Sequence, residues 1–291
     1  MLVVCISPPL LTHAAFSRTR YRNAARLQDT AQALESPSSP EESKEKSDDD
    51  DVPGVSIIRP LHNVDPHLHL NLESSFRQQY PKFEIILSVA DGNDPAIPVV
   101  RAVQHKFPHV DSTLIIGDED VGVNPKVNNL IRPYKAAKYD ILYVCDSNTK
   151  ASSPLTLANA VPLFSRQRPD GRSVGLVHHV PVGISANTFS SRVEQVFLAT
   201  GHAKAYLSMN KLEMGSLVLG KSCLYRKSDL ERTAFAMAAK AEDAKACAMQ
   251  AFGCYLSEDS ESCTQFLAIC SELVVTRRYD WHRYLGSGTA T

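Results

Sequence analysis

Two apolar, β-prone runs each end in an aspartate: residues 83–91, FEIILSVAD, and residues 139–146, YDILYVCD. Near-continuous apolar runs of this length, with helical patterns between them, are typical of central strands in a mostly parallel sheet. Ligands bind at the carboxyl ends of the strands in such sheets, and Asp91 and Asp146 both fall there. Together with Lys126, they predict a site for a sugar nucleotide and its divalent metal. The alternative is that each aspartate only caps the helix that follows it.

The composition excludes some classes of function. The chain of 291 residues is long enough for one large α/β domain or two small ones. Its 31 basic and 32 acidic residues nearly balance, so no net field draws it to nucleic acid or to an anionic membrane. Seven cysteines without a C-x-x-C pair predict mostly buried thiols in a reducing compartment, with disulfides as the minor alternative.

The two ends of the chain differ in composition from its middle. The apolar run at residues 1–6 is far shorter than the roughly 18 to 20 residues that span a bilayer. Residues 36–51, rich in serine, proline and acidic side chains, are typical of a disordered linker. We therefore divide the chain into an N-terminal segment with this linker (1–52), a folded domain (53–270) and a divergent tail (271–291).

The folded domain alternates strand and helix patterns. Asp65-Pro66, Asp94-Pro95 and Asn124-Pro125 each predict a helix start, because a capping side chain precedes a proline. The first two helices carry apolar stripes, at Leu68, Leu72 and Phe76 and at Val99, Val103 and Phe107. Strands are predicted at 55–60, 83–90, 113–116, 139–145, 174–180 and 217–225, and further helices from about 153, at about 190–207 and at 234–251. This order predicts an α/β fold with a doubly wound, mostly parallel sheet and helices on both faces.

One segment fits a nucleotide-binding pattern. Residues 215–222, GSLVLGKS, match the phosphate-loop pattern G-x-x-x-x-G-K-[ST]. A phosphate loop needs exposed backbone N–H groups in a turn between a strand and a helix. Here the interior residues are apolar and β-prone, and the residues after Ser222 continue a strand, which favours an ordinary strand. A nucleotidase that uses Lys221 to bind phosphate is therefore a disfavoured alternative.

Other polar residues have two interpretations each. Lys126 and Asn128 would place a cation and an amide beside the carboxyl edge of the sheet, or they belong to an ordinary capped helix start. His178 and His179 end a strand, and we interpret them as core or rim histidines because no carboxylate stands at metal-ligand spacing from them.

A third carboxylate follows the apolar run at residues 252–256. Glycosyl transfer needs a base that takes the proton of the acceptor hydroxyl, and Glu258 or Asp259 could supply a carboxylate for it. We expect the Asp259 side chain to share a cleft with Asp146, within roughly 10 to 15 Å, which leaves room for metal, diphosphate and sugar. Asp243 is a rival, but it lies in an Ala/Lys-rich helical stretch and we expect it to face solvent.

Short segments spread over about residues 53 to 260 together resemble the ceramide glucosyltransferase family. They are 55–61 (VSIIRPL), 80–84 (YPKFE), 94–96 (DPA), 124–130 (NPKVNNL), 137–140 (AKYD), 145–147 (CDS), 175–178 (GLVH), 193–197 (VEQVF), 220–223 (GKSC), 226–227 (RK) and 255–259 (YLSED). The resemblance implies a GT-A fold and transfer of glucose from UDP-glucose to the primary hydroxyl of ceramide, with inversion.

The resemblance also implies roles for single residues. Asp91 falls on the uridine side of the donor, Asp146 at the diphosphate and its Mg or Mn ion, and Asp259 at the position of the general base. Lys126 and Asn128 would then contact the nucleotide sugar. The implied partners are UDP-glucose, ceramide and the membrane surface that carries ceramide, and the implied location is the cytosolic face of the Golgi or ER membrane.

The chain departs from the family pattern in two places. We find no counterpart of the family's hydrophobic membrane segments, and its Q/R-x-x-R-W motif is matched only by residues 277–281, RRYDW. In that segment Asp280 stands where an arginine should precede Trp281. A truncated or mis-spliced gene product would account for both departures. The alternative function is then a catalytically impaired binder of nucleotide sugar.

Overall fold

The computed structural model describes residues 2–6, 52–166, 173–184, 186–205, 208, 220–238, 249–250 and 273–276. The strands in these residues are β1 (Leu2–Ile6), β2 (Val55–Leu61), β3 (Phe83–Val89), β4 (Ser112–Ile116), β5 (Ile141–Cys145), β6 (Thr149–Ala151), β7 (Leu176–Ile184), β8 (Ser222–Arg226) and β9 (Leu273–Thr276). The α-helices are α1 (Leu68–Phe76), α2 (Ala96–Lys106), α3 (Pro125–Ala136), α4 (Thr156–Ala160), α5 (Phe189–Phe197) and α6 (Lys227–Ala238). A 3₁₀-helix, Val161–Ser165, follows α4, and a π-helix, Leu198–His202, follows α5.

These strands form one mixed sheet in the order β4-β3-β2-β5-β8-β7-β1-β6, with β9 paired to β7. The first four strands in this order are parallel, with Leu61 of β2 opposite Val89 of β3 and Ile58 of β2 opposite Val144 of β5. Strand β8 runs antiparallel between β5 and β7. The predicted parallel sheet is therefore confirmed, and an antiparallel strand extends it at β5.

Helices cover both faces of the sheet, as predicted. Successive residues of a strand point to opposite faces, so Ile57 and Ile58 of β2 enter different cores. The Ile57 core contains Leu72 of α1 and Val100 of α2, whereas the Ile58 core contains Leu130 of α3. Burial of these apolar side chains, each worth about 1.5 to 3 kcal/mol, holds the helices against the sheet.

The predicted stripe on α1 is confirmed, since Leu68, Leu72 and Phe76 are all buried. On α2 the predicted stripe is confirmed at Val103, which is buried, and Val99 and Phe107 are partly buried against the same core. The other fully buried side chains of this helix, Ala96 and Val100, were not predicted.

The predicted start of α1 at Asp65 is also wrong, because the helix begins at Leu68. The Asp65 carboxylate instead accepts a hydrogen bond of 2.7 Å from the Ser147 hydroxyl, and the Asp65 carbonyl accepts one from the Leu68 amide. A contact with the loop after β5 thus takes the side chain that local sequence assigns to a cap. Asn124 does cap α3, accepting from the amides of Lys126 and Val127.

Strands β1, β6 and β9 also lie in the sheet, and the sequence analysis does not predict them. β1 pairs with β6 and β7, which are distant in the chain, so its short apolar run has no local signal of a partner. The predicted boundary of the folded domain at residue 53 stays a prediction. In the described part of the chain no helix is both long and apolar enough to cross a bilayer.

Candidate functional site

The carboxyl ends of β2, β3 and β5 lie at one edge of the sheet. The chain passes outward from β2 through β3 to β4 and then crosses back to β5 on the other side of β2. The crevice between the ends of β2 and β5 is therefore a topological switch point, where ligands bind in open α/β sheets. Asp146 follows β5 directly and Asp91 follows β3, so about 10 Å, two strand spacings, separates the two strands that carry them.

Two lysines hold the Asp146 carboxylate. Lys126 Nζ lies 3.2 Å from Oδ1 and Lys221 Nζ lies 3.4 Å from Oδ2. The three side chains are partly buried, with 21 %, 25 % and 28 % of Asp146, Lys126 and Lys221 exposed. Each lysine also donates to an oxygen of the surrounding loops, Lys126 to the Gly220 carbonyl and Lys221 to the Asn148 side chain. One carboxylate and two ammonium groups leave this cluster with a net positive charge, which suits an anionic ligand.

Lys126 reaches this position from the first turn of α3. Asn124 at the N-cap and Pro125 at the first helical position fix where the helix starts. The N-terminus of a helix carries a partial positive charge, so α3 adds to the attraction for an anion at this edge. The cap and the cation are therefore both present, and the two interpretations of this segment do not exclude each other.

Asp91 lies in a different environment. Its side chain is exposed, and Oδ1 accepts from the Asn93 backbone amide at 2.9 Å and from the Asn93 side chain at 3.4 Å. In the part of the chain that the structure describes, Asp91 forms no ion pair. Its carboxylate is thus held only by the turn in which it lies and remains open to a ligand.

Asn128 shapes the neighbouring loop. Its side chain donates to the Gly122 carbonyl at 3.2 Å and accepts from the Val121 amide at 3.1 Å. Asn129, one residue further along α3, donates to the carbonyls of Leu61 and Ser88 and so joins the ends of β2 and β3. Contact of Asn128 with a donor stays a prediction, since its observed partners all belong to the loop.

A buried arginine supports the Asp146 loop from below. Arg59 of β2 is fully buried and donates to the Cys145 sulfur at 2.9 Å, the Thr149 carbonyl at 3.0 Å and the Ser147 carbonyl at 3.4 Å. Burial raises the pKa of the Cys145 thiol, and the Arg59 guanidinium opposes part of that rise. The guanidinium therefore fixes the residues on both sides of Asp146.

The histidine pair is part of the core, as we interpreted it. His178 and His179 of β7 are fully buried, and His179 Nδ1 lies 2.8 Å from the Ser222 hydroxyl. Ser222 in turn donates to the Tyr143 hydroxyl of β5 at 3.0 Å. Burial, together with neighbouring His178, lowers the pKa of His179 to about 3, so this side chain is neutral at ordinary pH.

The turn before β8 does not begin a phosphate loop. Lys221 is followed by a strand, whereas a phosphate loop is followed by a helix. The Lys221 carbonyl accepts from the Asp146 amide at 3.2 Å, so this turn packs directly on the Asp146 loop.

A family model for glycosyl transferase family 21 matches residues 22–284 of the chain. The chain belongs to glycosyl transferase family 21. Two curated proteins named ceramide glucosyltransferase are similar to it. The one from Komagataella phaffii is 44 % identical over 195 residues, which are 62 % of this chain and 38 % of the relative. The one from Candida albicans is 33 % identical over 264 residues, covering 65 % of this chain and 48 % of the relative. The chain thus spans less than half the length of either relative.

A solved structure supports the fold of this family 21 chain. A mannosyltransferase from Pyrobaculum calidifontis, in complex with GDP-Man and Mn²⁺, superposes with a TM-score of 0.50 at 18 % identity, over 90 % of this chain and 66 % of that one. The predicted GT-A fold is confirmed.

Among its described residues, the family 21 chain offers the Asp146 carboxylate for a divalent ion at the switch point. Within the described ranges, no group of three or more His, Cys, Asp or Glu side chains lies close enough together to bind a metal ion. Mg²⁺ commonly takes one or two carboxylates and completes its shell with substrate phosphates and water. Asp146 provides oxygen ligands of this kind, so it could hold such an ion when substrate phosphates are present.

Several predicted residues lie outside the described residues. These are Asp259, its rival Asp243, the apolar run 252–256 and the segment 277–281. A shared cleft of Asp259 and Asp146 therefore stays a prediction.

Sequence reasoning missed two residues that the structure places at Asp146. Lys221 was assigned only to a disfavoured phosphate loop, although that pattern does mark a lysine in a turn. Arg59 gave one signal, a charged residue within an apolar strand, and its partners Cys145 and Thr149 could be found only from the pairing of β2 with β5.

Proposed function

We propose that the protein transfers glucose from UDP-glucose to the primary hydroxyl of ceramide, with inversion. The observation that carries this proposal is Asp146 at the switch point of a GT-A fold, paired with Lys126 and Lys221. Membership of glycosyl transferase family 21 supports a hexosyl transfer, and the names of the two fungal relatives support ceramide as the acceptor.

In this reaction the ceramide hydroxyl oxygen attacks the anomeric carbon from the face opposite UDP. The bond from that carbon to the diphosphate oxygen breaks, and its electron pair leaves with UDP. The hydroxyl proton goes to a general base, which we assign to Asp259. Attack from the opposite face gives one displacement and hence inversion.

The donor half of the site stabilises the leaving group. Lys126 and Lys221 flank Asp146 at the switch point, and positive charge there would offset the charge that develops on UDP. A divalent ion such as Mg²⁺ or Mn²⁺, held by Asp146, would add to this charge when bound. Asp91, exposed after β3 and two strands from β5, would contact the uridine side, with Asn128 beside the same edge.

The acceptor is a membrane lipid, and the helix α5 supports contact with a membrane surface. Phe189, Val193, Val196 and Phe197 recur at helical spacing on α5 and are all exposed. Gln195, on the opposite side of the helix, donates to the Gly183 carbonyl of β7, so the apolar stripe faces away from the sheet. An exposed apolar stripe on a helix is typical of binding in the lipid interface. α5 follows β7, whose direction is that of β5, so the helix lies on the same edge as Asp146.

A transfer assay tests the proposal. The chain is mixed with UDP-[¹⁴C]glucose, Mn²⁺ and ceramide in phosphatidylcholine vesicles, with the Komagataella phaffii relative as the active control. We expect labelled, base-stable glycolipid with β configuration by NMR. UDP-glucose binding in calorimetry without any turnover would instead identify the chain as a nucleotide-sugar binder. The absence of both binding and turnover would overturn the proposal.

A further inference from the structure

Lys221 and Lys126 occupy both oxygens of one carboxylate. Lys126 comes from the start of α3, and Lys221 comes from the turn before β8 on the other side of β5. A divalent ion that binds Asp146 needs at least one of these oxygens. It would also repel both ammonium groups at this distance, so ion and lysines compete for the same site.

We propose that Lys221 binds the donor diphosphate, and that it forms an ion pair with Asp146 while the donor is absent. When a nucleotide diphosphate and a divalent ion are both bound, Asp146 would hold the ion and the Lys221 side chain would turn to the diphosphate oxygens. The exchange keeps every charge paired in both states, because the lysine trades one anion for another. The inference rests on the proposed function, since it assigns Lys221 to the donor half of that same site.

The structural support for this movement is that the backbone and the side chain of Lys221 make separate contacts. Its backbone carbonyl accepts from the Asp146 amide, whereas its side chain, among the described residues, contacts Asp146 and Asn148. The side chain is 28 % exposed and ends at the open edge of the sheet. It can therefore turn without loss of the backbone bond that positions the loop.

The chemistry of the segment agrees with this role. The ammonium of a lysine binds phosphate as a point charge and does not need the backbone cradle of a phosphate loop. Lys221 thus supplies the cation of a phosphate site from a turn that leads into a strand. This assignment gives Lys221 a role in phosphate binding although a strand, and not a helix, follows it.

The test is Lys221→Met in the full chain, with Mn²⁺ and UDP as probes. Free Mn²⁺ is measured by electron paramagnetic resonance without UDP. UDP binding is measured by calorimetry with saturating Mn²⁺, the condition in which the proposal places Lys221 on the diphosphate. We expect Mn²⁺ affinity to rise about two- to fivefold, because a competing cation is gone. UDP affinity should fall about tenfold, because a charge-assisted hydrogen bond is lost.

Two further variants make the result specific. Lys106→Met removes a lysine from an ion pair with Glu73 on the helix surface and should change neither affinity. Lys221→Arg keeps the positive charge and should bind UDP within about threefold of the parent. This result would show that the weaker binding of Lys221→Met comes from the lost charge and not from misfolding. Unchanged or weaker Mn²⁺ binding in Lys221→Met, or unchanged UDP binding, would overturn the role of Lys221. Failure of the parent chain to bind UDP even with Mn²⁺ would instead overturn the proposed function.

Discussion

Asp91 and Asp146 end neighbouring parts of the same sheet edge but are held in opposite ways. The Asp91 carboxylate is exposed, and its described partners belong to residue 93 of the same turn. The Asp146 carboxylate is partly buried between lysines of two other segments, and Arg59 braces its loop from below. One aspartate is thus a local feature of the chain and the other is a product of the tertiary fold.

This difference indicates where the sheet edge tolerates change. A side chain held by its own turn can be altered with effects confined to that turn. Asp146 is held by three segments, namely β2, α3 and the turn before β8, so a change at Asp146 affects all three. Its carboxylate is also held in position before a ligand binds. Such preorganisation lowers the cost of binding, so we expect the chemistry of the diphosphate to depend on Asp146 more than on Asp91.

The largest expected contrast is in donor binding. Asp146→Asn should reduce UDP-glucose affinity in the presence of Mn²⁺ on the order of 100-fold, because the carboxylate that would hold the ion is lost. Asp91→Asn keeps the shape of the turn and should reduce the affinity by about tenfold or less, as expected for one hydrogen bond. Isothermal calorimetry with and without Mn²⁺ measures both.

The metal-free titrations are the control for this contrast. Without Mn²⁺, Asp146→Asn should bind UDP at least as well as the parent, because Lys126 and Lys221 lose their carboxylate partner. An equal loss for the two variants with Mn²⁺ would show that the tertiary support of Asp146 has no bearing on the donor.

The next contrast is in stability and local opening. Arg59→Met should lower the free energy of unfolding by about 2 to 4 kcal/mol, because buried carbonyls of the Asp146 loop lose their donor. Amide exchange should accelerate at Thr149, whose N–H bonds the Asp146 carbonyl, and much less at Asp94, whose N–H bonds the Asp91 carbonyl. Urea unfolding and hydrogen exchange followed by mass spectrometry measure these effects.

Arg59→Lys keeps the charge with fewer donors, so its stability should fall between those of the parent and Arg59→Met. Equal acceleration of amide exchange at Thr149 and Asp94 in Arg59→Met would mean that Arg59 stabilises the whole sheet edge. The proposed difference between Asp91 and Asp146 would then be wrong.

The sequence allowed the strands and the edge to be predicted because those signals are local. Apolar runs that end in aspartate located β3 and β5, and Asn124-Pro125 located the start of α3. The order of elements then placed Asp91, Lys126 and Asp146 at one edge. Each of these inferences needed only a window of a few residues and the known behaviour of parallel sheets.

The remaining features depend on contacts between distant segments. Lys221 meets Asp146 only because β8 pairs antiparallel with β5, with Ser222 opposite Cys145. Asp65 fails to cap α1 because Ser147, remote in sequence, takes its carboxylate. Contacts of this kind between distant side chains leave no periodic trace in the sequence, so a pattern could suggest the residues but not their partners.

The smallest expected effect is the pH dependence of stability that comes from His179, which is linked to β5, the strand before Asp146. Behind β5, neutral His179 contacts Ser222, which donates to Tyr143. Burial lowers the pKa of His179 from its ordinary 6.5 to about 3, so below pH 6.5 the unfolded chain takes up a proton that the folded chain does not. The free energy of unfolding must then fall with pH between about 6.5 and 3, at up to about 1.4 kcal/mol per pH unit.

Urea unfolding of the parent and of His179→Gln at pH 7, 6 and 5 measures this contribution. Glutamine has no proton to gain, so the variant should lose about 2 kcal/mol less than the parent between pH 7 and pH 5. His105→Gln is the matched control, because His105 is exposed on α2 and its side chain is in water in both states. Its pH dependence should follow that of the parent. Parallel curves for the parent and His179→Gln would mean that His179 takes up its proton without unfolding, and the histidine behind Asp146 would then be open to water.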